Sequence, residues 1–227
     1  GCLAALTDNW TFSGIDSMDK PMIDGPEHPY CELSDEARAE SQWRIMANAP
    51  SGDGVWVFGF GSLMWNPCFS FTEHRPATIT GYERKFHIWT TKARGTPDMP
   101  GLGLCLEKAD RECRGVAYRL ADDHLEDSLD ALWCREMTTG IYEPAWCEIE
   151  FETGDVMQAI TFVVNHTSRQ YVGPMPMQQM APIIARASGE YGTCRDYLSM
   201  TIAVMADLGV RDPELDELLR MVDAMHA

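Results

Sequence analysis

Two stretches of the chain hold residue types whose spacing could do chemistry. The first centres on Glu136. On a helical wheel at about 100° per residue, Leu125, Leu129, Leu132 and Trp133 share one face of the segment from Asp123 to Glu136. Asp123, Glu126, Asp127 and Asp130 share the other. Glu136 falls in the middle of the apolar face, four residues past Leu132 and three past Trp133. Withdrawing a carboxylate from water penalises its charged form and raises its pKa toward neutrality. Such a group can accept and return a proton near pH 7, which is general acid–base work. Two blander readings fit the same spacing: the helix has ended by Glu136, or Arg135 or another cation pairs it.

The second stretch is Phe58-Gly59-Phe60-Gly61-Ser62-Leu63. Two glycines in three residues let the backbone turn tightly after a strand, so successive N–H groups can converge on a carboxylate or carbonyl oxygen. A plain strand-to-turn bend fits equally. The nucleotide readings fail. A dinucleotide fingerprint wants a third glycine where Met64 stands, and a phosphate loop wants Gly-Lys-Ser/Thr. Ser62 lacks a Gly-x-Ser-x-Gly elbow, being followed by Leu63 and Met64. Neither Cys68 nor Cys134 has a spacing that marks a cysteine–histidine dyad.

These groups must be positioned by a body that begins sharply at Val55-Trp56-Val57-Phe58, an apolar run suited to a buried strand. Further short apolar or alternating runs cover 77–79, 86–90, 103–106, 115–118, 147–151 and 157–164. Many short strands with few helices between them indicate an antiparallel or mixed sheet curled into a small barrel. Helices are expected at Asp123 to Arg135, at Arg195 to Leu208 before Gly209, and from Asp212-Pro213-Glu214 onward. The last has Leu215, Leu218, Leu219, Val222 and Met225 as its apolar stripe. Residues 1–54 read as an N-terminal extension packed on a main domain of 55–227. Its first thirty residues are punctuated by Asp, Pro and Gly, and one helix is expected from Asp35 to Ala47, capped by Ser34.

With 227 residues, 45% hydrophobic and 23% charged, the chain has an ordinary globular composition. A net charge of −17 argues against nucleic-acid or anionic-membrane partners, which need clustered Lys and Arg. No apolar run approaches the ~18 residues of a spanning helix. Gly1-Cys2 is read as a trimmed start in preference to a processed lipoprotein start. Eight dispersed cysteines without Cys-x-x-Cys spacing fit core positions in a reducing cytoplasm. The six histidines show no His-x-His or His-x-x-x-His pattern, so no metal site is signalled. No feature sets an oligomeric state.

At both chemical stretches the sequence resembles the ChaC family of glutathione-specific γ-glutamylcyclotransferases, especially its bacterial members, from about Val55 to the C-terminus. The resemblance is carried by Phe58 to Pro67, Arg94-Gly95 leading to Pro100-Gly101, and Gly115 to Leu120. It continues through Arg135-Glu136-Met137 with Gly140 and Tyr142, and Tyr171 with Gly173-Pro174. It implies an α+β cyclotransferase fold, a small mixed β-barrel flanked by helices. It also implies a lyase-type cyclisation in which the substrate's α-amine attacks its own γ-carbonyl, releasing 5-oxoproline and cysteinylglycine from glutathione. No enzyme nucleophile, metal or cofactor is then required, and the partner is the small-molecule substrate. By position, Glu136 is implied as the acid–base, and Gly59, Phe60, Gly61, Ser62, Leu63 and Met64 as the substrate loop. Tyr142, Tyr171 and Arg84 match further positions near the site. Phe60 stands where the family usually has Tyr, and Leu102 follows Pro100-Gly101 where it often has Arg. Both departures bear on substrate preference. The alternatives are other γ-glutamyl peptides or amines as substrates, or a non-catalytic glutathione-binding regulator of cation transport.

Overall fold

The structure, a computed structural model, describes residues 30, 32–52 and 54–226. The readings of Gly1-Cys2, of the punctuated opening stretch up to residue 29 and of Cys2, Cys31 and His28 concern positions outside that set.

Five strands close into a barrel in the order β1-β3-β2-β4-β5: β1 is Trp56–Gly59, β2 Phe71–Thr90, β3 Gly101–Leu120, β4 Tyr142–Phe151 and β5 Val156–Val164. All neighbours are antiparallel except β1 and β5, which run parallel, so the sheet is mixed. Every residue of β1 is buried, which explains its continuous apolar run where a half-exposed strand would alternate. Closure needs close backbone approach beside it. A Cβ on Gly115 would lie 2.3 Å from the Gly59 carbonyl oxygen and 2.7 Å from the Phe58 ring, so only glycine fits.

The strands differ from the expected short runs in one respect. The four runs at 77–79, 86–90, 103–106 and 115–118 belong to one hairpin of two 20-residue strands. Phe86 to Trp89, Gly101 to Leu106 and most of Cys113 to Leu120 lie in the core with Ala77 and Ile79, whereas Thr80 to Lys85 and Glu107 to Glu112 are partly or fully exposed. The hydrophobic pattern lapses there although the ladder continues, through register shifts that let so long a ribbon coil.

The helices are α1 Asp35–Ala47, α2 Leu125–Glu136, α3 Met177–Arg186, α4 Cys194–Asp207 and α5 Pro213–Asp223. Ser34 caps α1 by accepting from the Ala37 N–H at 3.2 Å, and Asp212 caps α5. The helix expected from Asp123 starts with a 3₁₀ turn at Asp122–His124 and becomes α-helical at Leu125. The sequence reading missed α3. Prolines at 174, 176 and 182 obscure it, Pro182 lying inside the helix where it can donate no hydrogen bond. α3, α4 and α5 pack on one another, and α4 lies on β3. A two-residue hairpin, β6 Ser188–Gly189 with β7 Gly192–Thr193, leads into α4.

α1 docks on α2 and β4. The Trp133 indole donates to Ser41 Oγ at 3.1 Å, the Trp146 indole to the Ile45 carbonyl at 2.9 Å, and Gln42 to Asp130 at 3.0 Å. These contacts tie α1 to the helix that ends in Glu136 and to the neighbouring strand. No helix among the described residues is long and apolar enough to cross a membrane.

Candidate active site

Glu136 is the last residue of α2. Leu129, Leu132 and Trp133 on the same face are buried, so the phase seen on the wheel carries through to the helix end. The Glu136 side chain is 15% exposed. Burial pushes its carboxyl up from the ordinary 4.5, opposed only by the Arg135 guanidinium, whose Nε lies 3.3 Å from Oε1. The negative pole of the helix C-terminus acts in the same direction as burial. No hydrogen bond reaches the carboxyl among the described residues. Both open readings thus meet a specific answer: the helix does reach Glu136, and Arg135 does pair it, without saturating it.

Arg135 also joins Glu136 to the glycine loop. Its Nη2 donates to Ser62 Oγ at 2.7 Å and its Nη1 to the Asn66 carbonyl. Beyond β1 the chain turns through a 3₁₀ element at Ser62–Met64, closed by the Met64 N–H donating to the Gly61 carbonyl at 2.9 Å. The N–H groups of Phe60, Gly61, Ser62 and Leu63 have no hydrogen-bond acceptor among the described residues. A run of uncommitted backbone donors beside a carboxyl can hold a carboxylate or a developing oxyanion.

Two phenols complete the wall. Tyr142, at the start of β4, donates to the Leu104 carbonyl at 2.7 Å. Tyr197, on the buried face of α4, accepts from the Leu104 N–H. Its hydroxyl lies 3.2 Å from where a Cβ on Gly61 would stand. Burial raises both phenols far above 10, and the nearby Glu136 charge adds to the shift. Both therefore stay protonated. Tyr197 keeps its own O–H proton without an acceptor among the described residues, a donor available to a ligand.

Two other expected positions are engaged within the protein. Arg84 spends its guanidinium within the protein. Nε donates to the Phe60 carbonyl, Nη2 to the Arg114 carbonyl at 2.7 Å, and the Met64 and Met205 sulfurs face it at 3.7 and 3.0 Å. It braces the glycine loop from behind. Tyr171 bridges Ile88 and packs on the small apolar cluster that Tyr142 also touches. Its hydroxyl, raised to about 12 by burial and by Glu107, bonds to Glu107. Phe60 is buried in the main core, and Leu102 is fully buried with its carbonyl accepting from Cys194 Sγ at 3.1 Å. Neither departure from the family pattern presents a side chain to solvent.

Sequence reasoning missed Arg135 and Tyr197 as site residues. Arg135 had been read only as a neutralising neighbour of Glu136. Tyr197 looks like one more core aromatic of α4, and the only available signal was a hydroxyl on an otherwise apolar face.

A family model described as ChaC-like protein matches residues 55–225. A relative from Escherichia coli (strain K12), named glutathione-specific gamma-glutamylcyclotransferase, is 41% identical over 194 residues, covering 86% of this chain and 84% of its own length. The human glutathione-specific gamma-glutamylcyclotransferase 1 is 30% identical over 188 residues, covering 79% and 83%. A crystal structure of the yeast cyclotransferase specific to glutathione shares the fold, with a TM-score of 0.69 at 23% identity over 76% of this chain and 97% of that one. This chain belongs to the ChaC-like protein family.

Proposed function

We propose that the protein is a γ-glutamylcyclotransferase that splits glutathione into 5-oxoproline and cysteinylglycine, with Glu136 as the proton carrier. The observation that carries this reading is a desolvated carboxyl that accepts no hydrogen bond among the described residues, tied through Arg135 to a loop whose N–H donors are uncommitted there. The relatives named for this reaction support the substrate.

The chemistry balances without an external reagent. Glu136 takes a proton from the substrate's α-ammonium, freeing an amine that can close a five-membered ring on its target. The amine nitrogen bonds to the carbon of the γ-carbonyl, and the carbonyl oxygen becomes an oxyanion that loop N–H groups and the Tyr197 hydroxyl can stabilise. Collapse breaks the bond to the cysteinyl nitrogen, which takes the proton back from Glu136. The freed carboxylate then passes the extra proton of the ring nitrogen to the departing amine, leaving a neutral lactam and an ammonium. No water is consumed. Intramolecular attack supplies the proximity that a second reactant would otherwise require, so the residues need only fold the substrate, steady charge and carry protons from the attacking to the leaving nitrogen. The unbridged cysteines among the described residues fit a cytoplasmic setting.

The test is release of 5-oxoproline from glutathione by wild type and by Glu136→Gln. The expected result is turnover by wild type and a loss of about 10³-fold in kcat in the variant, in the range set by removing a general acid–base group. Absence of 5-oxoproline from wild type would overturn the reaction; full activity in the variant would overturn the role of Glu136.

A further inference from the structure

We infer that Arg94 receives the terminal carboxylate of the substrate's glycine, and that this contact makes the site prefer a tripeptide to shorter γ-glutamyl compounds. The inference rests on the reaction proposed above and adds the group that recognises the far end of the substrate.

Three arginines surround the site, and two are spent. Arg135 is committed to Glu136, Ser62 and Asn66. Arg84 is committed to two carbonyls and two sulfurs. Arg94 is different. Its guanidinium lies over the Tyr197 ring, 5.3 Å from the centroid, and only Nη1 donates, to the Tyr191 and Thr193 carbonyls. Nε and Nη2 have no partner among the described residues, and no carboxylate pairs with the group there. A guanidinium with two adjacent free donors matches the two oxygens of a carboxylate.

Its placement is built, not incidental. The loop carrying Arg94 is locked to the β6–β7 hairpin by backbone bonds from Glu190 to the Lys92 carbonyl at 2.8 Å and from Tyr191 to the Ala93 carbonyl at 3.0 Å. At the next residue, a Cβ on Gly95 would meet Gly101 N at 2.3 Å and Thr90 O at 2.5 Å, so the turn tolerates glycine alone. Tyr197 then spans from the substrate loop to the guanidinium, with its hydroxyl at Gly61 and its ring beneath Arg94. Its hydroxyl feels both the Glu136 and the Arg94 charges. The two residues beyond the γ-carbonyl of glutathione extend at most about 7 Å, a reach commensurate with that of the tyrosine between loop and cation. A chain of net charge −17 would otherwise repel an anionic tripeptide, so a local cation at the glycyl end has work to do.

The experiment compares glutathione with glutathione amidated at its glycine carboxylate, on wild type, Arg94→Gln and Arg94→Lys. Each variant's thermal midpoint is measured alongside. Wild type is expected to favour the acid over the amide by about 10- to 100-fold in kcat/KM, the range for one charge-assisted pair. Arg94→Gln is expected to lose that preference through a raised KM for glutathione, with kcat and the amide kinetics little changed, and Arg94→Lys to keep part of it. Equal use of acid and amide by wild type overturns the inference, even if Arg94→Gln does not fold. So does an equal loss on both substrates in a folded variant, the mark of a purely structural arginine. If wild type releases no 5-oxoproline from either substrate, the underlying reaction fails and this inference falls with it.

Discussion

Glu136 and Glu107 are buried to nearly the same degree, with side chains 15% and 12% exposed, yet their surroundings are opposite. Glu107, on β3, is crowded with donors. His87 Nδ1 stands 2.9 Å away, Cys105 Sγ 3.7 Å and His166 Nε2 3.9 Å, and the Tyr171 hydroxyl bonds to it. Glu136 has one cation at 3.3 Å and no hydrogen bond among the described residues. Burial alone does not make a proton carrier. A buried carboxyl whose lone pairs are filled is cement: Glu107 ties the 165–173 segment to the barrel hairpin. A buried carboxyl left nearly bare keeps its lone pairs for a substrate proton.

The contrast can be broken most visibly from the Glu107 side. Glu107→Leu strands the Tyr171 hydroxyl and the His87 ring without their acceptor, and the expected loss is about 2 kcal/mol of stability. Turnover per folded molecule should stay within about threefold. Urea unfolding read beside 5-oxoproline release measures both, and a large fall in kcat with unchanged stability would place Glu107 in the chemistry instead.

The next effect is a shift along the pH axis. In the proposed reaction Glu136 must be ionised to take the substrate proton, so activity is expected to fall on the acid side as its carboxyl becomes protonated. Because Arg135 alone opposes the upward push of burial, Arg135→Met should move that acid limb to higher pH. Activity well above it should fall by up to about tenfold as the Ser62 and Asn66 ties are lost. An unmoved limb in the kcat/KM profile would show that the titrating group is not Glu136.

The smallest effect is on stability against pH. The folded-state pKa of Glu136 lies above its ordinary 4.5, so the fold holds a proton that the unfolded chain has released. That contribution is fully present below 4.5 and is lost as pH rises through the raised folded value. Glu136→Gln has no such proton to lose. Its thermal midpoint should gain on wild type as pH is raised from about 4.5 to 7, and parallel curves would contradict a raised carboxyl.

Much of this arrangement was legible in the sequence because it obeys local rules. The helices with caps and clean stripes, α1 from Ser34 and α5 from Asp212-Pro213, start where their capping residues put them. Glu136 was visible as a phase error, an acid where the wheel wanted a leucine. The glycine loop was visible as two glycines in three residues after a buried strand, a pattern that a plain bend fits equally. What escaped depends on three-dimensional neighbours. The 20-residue strands were cut where the hairpin leaves the core and its residues turn charged. α3 was hidden by Pro182. Arg84 looked available because sequence shows its charge and not the carbonyls that consume it. Tyr197 and Arg94 lie 61 and 42 residues from Glu136 in the chain, and only closure of the barrel and the packing of α4 on β3 bring them to the site.

The most direct measurement sets the two buried glutamates against each other: initial rates of 5-oxoproline release from glutathione by Glu136→Gln and Glu107→Gln, at equal concentrations of folded protein. The expected result is a loss of about 10³-fold for Glu136→Gln and a rate within about threefold of wild type for Glu107→Gln, whose amide still accepts hydrogen bonds. Comparable losses in both variants, or retained activity in Glu136→Gln, would contradict it.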